Sequence, residues 1–172
     1  MIQNAIRQLA TLIFLPLTLA GRMIEVALSF VSQLKAGDLC LEGKVVVVTG
    51  ASSGLGERLA HAFYNEGCKL ILASRRLPEL TRVRDEILAS ESRNERVIPP
   101  VVVQLDLAET GKIQDTANAI LGIYGHVDIL VNNAGISYRG EISETTADVD
   151  VQIMTVNYFG TVALTKGLLY DI

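Results

Sequence analysis

The chain has 172 residues and a formal net charge of −4; 49% of its residues are hydrophobic and 20% are charged. This size predicts one domain with its own core, and the composition excludes a disordered or collagen-like chain. The mild acidic excess argues against a nucleic-acid partner, and two cysteines and two isolated histidines support neither a disulfide framework nor a metal site.

The first 36 residues are strongly apolar. Residues 9–20 carry no charge, but this stretch is shorter than the roughly 20 residues that cross a bilayer. Further on, one polar stripe recurs at helical spacing: Arg22, Glu25, Ser29 and Ser32. We predict a hydrophobic and amphipathic membrane anchor at 1–36, followed by a linker at 37–43. The alternatives are a helix that spans the membrane, a helix that lies on its surface, a cleaved signal peptide and a soluble packed helix.

The rest of the chain alternates strand and helix patterns. Continuous apolar runs predict buried strands at 44–49, 69–74, 101–105 and 127–131. Helical spacing predicts helices at 54–66, 78–92, 108–124 and around 143–155, with a further helix that starts at Asn157. Alternation of this kind indicates βαβ units. The predicted fold class is therefore α/β, a Rossmann-like doubly wound parallel sheet over residues 44–172.

The first strand runs directly into the glycine-rich segment TGASSGLG at 49–56. A diphosphate is bound by backbone N–H groups and a helix N-terminus, and glycines allow it to approach closely. A third glycine lets the helix pack tightly on the strand, and serines add hydroxyl groups. The residues predicted around a diphosphate are Gly50, Ser52, Ser53, Gly54 and Gly56. The alternative is a plain strand–turn–helix in which the glycines serve only geometry.

The second strand ends in Ser74-Arg75-Arg76 and carries no carboxylate there. An acidic residue at this point binds the ribose hydroxyls of NAD, whereas a basic one pairs with the 2′-phosphate of NADP. The sequence therefore favours NADP over NAD, unless both arginines only begin a solvated loop. Asp106 follows the third strand, where it can meet an adenine edge, cap a helix that starts at Ala108, or do both.

Two motifs, TGASSGLG at 49–56 and NNAG at 132–135, each follow a predicted strand, and with them the chain resembles the short-chain dehydrogenase/reductase family. The resemblance implies that Arg75 contacts the 2′-phosphate and that Asn157 is the catalytic asparagine that holds a water in a proton relay. It also implies a cofactor site made of Gly50, Ser52, Gly54, Leu55, Gly56, Asp106, Leu107, Asn133, Ala134 and Gly135. Arg76 joins this site because of its charge at the end of the second strand.

The implied reaction is hydride transfer between NADP(H) and a carbonyl or alcohol of a lipid-like substrate. It needs a Tyr as general acid/base, a Lys four residues later and a Ser, yet none of the five tyrosines is followed by Lys at that spacing. We therefore expect a catalytically incomplete chain with an incomplete sheet and low stability; the alternative is a non-catalytic dinucleotide-binding or interaction module. Further expectations are a dimer through the helix that starts at Asn157 and attachment to the endoplasmic reticulum or, alternatively, the peroxisomal membrane.

Overall fold

The computed structural model describes residues 40–90, 98–141, 143 and 145–169. The predicted membrane anchor at 1–36 lies outside the described residues, as do residues 37–39 of the predicted linker. Among the described helices, none is both long enough and apolar enough to cross a membrane.

The centre of the molecule is a four-stranded parallel sheet in the order β3-β2-β1-β4. Its strands are β1 (Val45–Thr49), β2 (Lys69–Ser74), β3 (Val101–Gln104) and β4 (Ile129–Val131). Every residue of β1 is buried, because the strand lies between two neighbours and has helices on both of its faces. The predicted parallel α/β sheet is confirmed, and within the described residues β4 forms one of its edges.

Five α-helices flank or follow the strands: α1 (Gly54–Asn65), α2 (Leu77–Ala89), α3 (Ile113–Tyr124), α4 (Ala147–Met154) and α5 (Thr161–Leu169). Helix α1 ends because Gly67 adopts the left-handed conformation, with a φ of 79°. The N–H of Gly67 then donates to the carbonyl of Tyr64, and the N–H of Cys68 donates to that of Phe63. This arrangement satisfies the last helical carbonyls and directs the chain into β2.

The two faces of the sheet bury different helices, because successive strand residues point to opposite sides. Val45 and Val47 of β1 belong to a cluster that includes Ile120 of α3 and Leu164 of α5. The intervening residues Val46 and Val48 point to the other face, and both are fully buried. Helices α1 and α2 contact the sheet as well, so the strands are covered on both sides.

Three predicted helix starts differ from the structure. The helix expected from Ala108 begins only at Ile113, after a short 3₁₀ turn at Thr110–Lys112. Asp106 therefore does not cap a helix at Ala108: its Oδ1 accepts the Ala108 N–H at 2.9 Å and closes a local turn.

No new helix starts at Asn157 either. Helices α4 and α5 are joined by one wide π-helical turn, Thr155–Gly160, and the residues on both sides of this turn keep helical backbone angles. Asn157 thus lies inside a continuous helical stretch and cannot be a helix cap. The helix expected around residue 143 begins at Ala147.

Candidate cofactor site

The candidate site lies at the carboxyl ends of the strands. From β1 the chain moves to β2 and β3 on one side, and then returns to place β4 on the other side of β1. This reversal leaves a crevice between the loops that follow β1 and β4, which is where parallel α/β sheets bind ligands. The loop 50–53 and the segment 132–136 border that crevice.

The loop after β1 is shaped by glycines that leave no room for a side chain. Gly50 has a φ of 66°, and a Cβ on it would lie 2.9 Å from the Cα of Ala134. A Cβ on Gly56 would collide with the Gly50 carbonyl oxygen, so α1 can approach β1 only if this residue is glycine. Ser53 precedes α1, but its hydroxyl makes no capping hydrogen bond to the helix.

Thr49 links the two loops from a buried position. Its hydroxyl donates to the carbonyl of Val131 at 3.1 Å and accepts the N–H groups of Asn133 and Ala134, both at 3.0 Å. The side chain of Asn133 returns a hydrogen bond from Nδ2 to the Thr49 carbonyl at 3.0 Å. The NNAG segment is therefore held against the glycine loop by hydrogen bonds in both directions.

The two arginines after β2 play different parts in this structure. Nη2 of Arg76 donates to the hydroxyl oxygens of Ser52 at 3.1 Å and Ser53 at 2.9 Å, so this guanidinium lies over the glycine loop. Arg75 is exposed and lines both the crevice and a second cavity that Lys112 also lines. The end of β2 thus presents two cations to the crevice.

Asn157 is held by two hydrogen bonds to one backbone unit. Its Oδ1 accepts the Ile136 N–H and its Nδ2 donates to the Ile136 carbonyl, both at 2.8 Å. The wide turn around Asn157 also leaves the Val156 carbonyl to accept the hydroxyl of Thr161 at 3.2 Å. Turns of this type are frequent at functional sites. The geometry ties the helix to the segment after β4, and the catalytic role of Asn157 stays a prediction.

A cavity of about 330 Å³ occupies the crevice. Eleven of the predicted cofactor residues line it: Gly50, Ser52, Ser53, Leu55, Arg75, Arg76, Asp106, Leu107, Asn133, Ala134 and Gly135. Gly54, Gly56 and Asn157 do not line it, although Gly56 and Asn157 touch residues that do.

Sequence reasoning missed four lining residues: Ser74, Leu105, Ile136 and Val156. Ser74 ends β2 and Leu105 directly follows β3. Residues at the carboxyl ends of parallel strands lie at the ligand-binding edge of the sheet, so both could have been predicted from the strand positions in the sequence. Val156 reaches the cavity only through the wide turn, which no pattern in the sequence predicts.

Two other groups bear on the chemistry of the described residues. Ligand atoms of Glu57, His61 and Glu86 lie within 4.8 Å of one another, but Arg82 donates hydrogen bonds to both carboxylates. Burial raises the pKa of the Cys68 thiol to about 12, with a smaller contribution from Glu66. This thiol is therefore protonated at neutral pH and is unsuited to act as a nucleophile.

A parallel sheet with a glycine-rich turn at its switch point defines a Rossmann-like α/β protein. The family model described as short chain dehydrogenase matches residues 44–171, and the chain belongs to that family. It is an oxidoreductase family, and the resemblance noted in the sequence is confirmed.

Two relatives show how the chain compares with known members. It is 54% identical over 129 residues to the Drosophila melanogaster "Dehydrogenase/reductase SDR family protein 7-like", with 75% of this chain and 39% of that protein covered. It is 50% identical over 129 residues to the Rattus norvegicus "Dehydrogenase/reductase SDR family member 7B", with 75% and 40% covered. The chain therefore spans less than half the length of these two relatives.

Solved structures share the fold. An alcohol dehydrogenase from Thermococcus sibiricus, complexed with 5-hydroxy-NADP, superposes with a TM-score of 0.68 at 28% identity, covering 76% of this chain and 53% of that one. A short chain dehydrogenase/reductase from Burkholderia phymatum, in complex with NAD, also has a TM-score of 0.68, at 29% identity, covering 77% and 45%. The structural neighbours thus include complexes with either dinucleotide.

Proposed function

We propose that this chain supplies the NADP(H)-binding part of an oxidoreductase that transfers hydride between the cofactor and a carbonyl or alcohol. The observation that carries the proposal is the pairing of a glycine cradle at Gly50–Gly56 with two arginines at the end of β2. Cations there suit the extra phosphate of NADP, and the segment 74–76 at the end of β2 holds no carboxylate of the kind that favours NAD.

Different residues of the crevice would bind different parts of the cofactor. The loop residues Gly50, Ser52, Ser53 and Leu55 would hold the diphosphate, with backbone N–H groups that approach because the glycines carry no Cβ. Arg75 and Arg76 would hold the 2′-phosphate, since a guanidinium matches phosphate geometry. The adenine would lie against Asp106 and Leu107.

The reacting end would lie toward the segment after β4. Asn133, Ala134 and Gly135 would border the ribose and nicotinamide, and when bound the nicotinamide supplies or accepts the hydride. Asn157 is proposed to hold a water for the proton relay, and its double hydrogen bond to Ile136 fixes the side chain in place for that role.

We further propose that these 172 residues bind the cofactor without completing the reaction, because they contain no Tyr-x-x-x-Lys sequence. A purified sample of this chain should bind NADPH and leave carbonyl compounds unreduced. Reduction of any carbonyl by the chain alone would contradict this. The second candidate function is a non-catalytic dinucleotide-binding or interaction module. The lack of Tyr-x-x-x-Lys in these 172 residues favours it too. It differs in predicting no carbonyl reduction even by a longer protein that includes this chain.

Arg75 offers the sharpest test of NADP preference. Arg75→Asp places a carboxylate where the 2′-phosphate is expected, so the affinity for NADPH should fall by roughly 10- to 100-fold, while NADH binding is kept or improved. The matched control is Arg84→Asp, because Arg84 pairs with Asp85 on the outer side of α2 and does not line the cavity. An unchanged ratio of the two affinities in Arg75→Asp would refute the assignment.

Membrane attachment, a lipid-like substrate and residence at the endoplasmic reticulum, or alternatively the peroxisomal membrane, also belong to the proposal. Membrane attachment is supported by the uncharged stretch at 9–20 and the polar stripe that follows it, and a lipid-like substrate is proposed because it would be found at a membrane. Removal of residues 1–36 should release the protein from liposomes in a flotation assay, and continued flotation would contradict an anchor there.

We also propose a dimer through the helical stretch α4–α5. Four apolar side chains on it are 47–64% exposed: Val151, Met154, Tyr158 and Phe159. Apolar exposure at this level along one element is typical of interfaces. Analytical ultracentrifugation should give a dimer that Tyr158→Glu dissociates, whereas a monomer at all concentrations would contradict the proposal.

A further inference from the structure

Arg82 on α2 reaches the glycine loop although it does not line the cavity. Its Nη1 and Nη2 donate to the two carboxylate oxygens of Glu57 at 3.1 and 3.2 Å, which is a bidentate pair. Nη2 also approaches the carbonyl oxygen of Ser52 at 3.4 Å. One guanidinium from α2 is thus connected both to the first turn of α1 and to the loop that precedes it.

All five N–H groups of this guanidinium are engaged. Besides Glu57 and Ser52, Nε donates to Glu79 at 2.9 Å and a further Nη1 hydrogen to Glu86 at 2.8 Å. The hydrogen bonds from Glu57, Glu86 and Glu79 raise the pKa of Arg82 above its ordinary value, so the residue stays charged at any working pH. A side chain held at five points has little freedom to leave the loop.

Glu57 creates an electrostatic problem for an anionic ligand. It lies in the first turn of α1, at the end of the helix that faces the glycine loop. A carboxylate there is favourable for the helix itself, but it repels phosphate groups brought to the same end. The structure shows hydrogen bonds from Arg82 to Glu57, so Arg82 is the cation that offsets this charge.

Ser52 is held from two sides. Arg76 donates to its hydroxyl oxygen, and Arg82 approaches its carbonyl oxygen, so the loop residue is fixed at both of its polar ends. The Ser52 carbonyl is thus directed toward Arg82 on α2, while Ser52 itself lines the cavity.

We propose that Arg82 is a positioning residue for the cofactor: it neutralises Glu57 beside the phosphate site and holds the Ser52 carbonyl away from it. This inference rests on the proposed binding of NADP(H) in the cavity. Arg82 acts through these two residues and makes no contact with the cofactor. The ion pair consequently serves binding, beyond any contribution to stability that an exposed pair makes, which is small.

The inference predicts opposite effects from the two partners of one ion pair. Arg82→Gln leaves Glu57, and with it Glu79 and Glu86, without their shared cation and should raise the Kd for NADPH by about tenfold at low salt. Glu57→Gln breaks the same ion pair but removes the repelling charge, so its Kd should equal or fall below that of the unaltered protein. The double variant Glu57→Gln/Arg82→Gln should bind NADPH more tightly than Arg82→Gln, because the carboxylate in the first turn of α1 is gone, although Glu79 and Glu86 still lack their cation.

The experiment is calorimetric titration of the full chain with NADPH at about 20 mM and about 300 mM salt, since screening should shrink the Arg82→Gln effect. Arg84→Gln is the matched control: it removes the same charge from the same helix, but Arg84 donates its hydrogen bonds to the neighbouring Asp85 and not to the glycine loop or Glu57. Its Kd should change less than about twofold.

Three outcomes would overturn the inference. The first is weaker binding in Glu57→Gln, comparable to that in Arg82→Gln, which marks a merely structural ion pair. The second is an equal effect of Arg82→Gln and Arg84→Gln. The third is absence of NADPH binding in the unaltered protein, which overturns the proposed function as well. The first two outcomes, in contrast, overturn only the role of Arg82. If Arg82→Gln does not fold, Glu57→Gln alone decides, because it breaks the same contact.

Discussion

Adding one methyl group at Gly56 should damage both the fold and the cofactor site. A Cβ there would strike the Gly50 carbonyl oxygen and crowd Nδ2 of Asn133, which donates to the Thr49 carbonyl at 3.0 Å. Overpacking of this kind costs about 1–3 kcal/mol, and losing the Asn133 hydrogen bond costs about 1 kcal/mol more. We expect Gly56→Ala to lower the free energy of unfolding by about 2–4 kcal/mol.

Urea unfolding followed by circular dichroism measures this loss, and NADPH titration measures the accompanying loss of binding. Gly122→Ala is the matched control, because Gly122 is an exposed residue of α3 with nothing within 4 Å of its added Cβ. That variant should gain about 0.5–1 kcal/mol, since alanine favours the helix over glycine. Equal stability changes in the two variants would refute the reasoning about close approach.

Three further predictions concern buried or paired groups. Thr49→Val deletes a buried hydroxyl that accepts the Ala134 N–H and shares the Asn133 N–H with the Val131 carbonyl, so urea unfolding should show a loss of about 1–3 kcal/mol; unchanged stability would contradict this. Because burial raises the pKa of Cys68 to about 12, a thiol reagent at pH 8 should modify exposed Cys40 and spare Cys68 until the protein unfolds; equal rates in the folded state would refute this. Asp128 accepts hydrogen bonds from a lysine ammonium and a backbone N–H, and these hold its pKa below the ordinary value. The stabilisation from Asp128 is therefore present above about pH 4 and is lost as the pH falls through the lowered pKa. Between about pH 5 and 3 the unaltered protein should lose more stability than Asp128→Asn, and parallel losses in the two proteins would contradict this.

The sequence predicted the central strands well because their signal is local. β1 and β2 are runs of apolar residues buried on both faces, and β2 has the predicted bounds Lys69–Ser74. The glycine loop could be predicted equally well, because a glycine-rich turn between a strand and a helix implies the close contacts that require Gly50 and Gly56.

One error arose where packing between distant segments decides the local geometry, and another from a local hydrogen bond. The wide turn at Thr155–Gly160 lies where Gly160 is pressed against the Leu107 carbonyl, which a Cβ at this position would strike. That contact joins residues far apart in the chain, so no periodicity reveals it. The late start of α3 has a local cause, since Asp106 uses its carboxylate to close a turn instead of capping a helix.

The proposed recognition of NADP(H) depends most on the pairing of the glycine cradle with the arginines after β2. Calorimetric titration of the folded chain with NADPH and, separately, with NADH examines that pairing directly. We predict saturable uptake of one NADPH per chain, with an affinity at least about tenfold greater than that for NADH, as a charge-assisted phosphate contact requires. No saturable uptake of NADPH, or equal affinities for the two dinucleotides, would contradict the account.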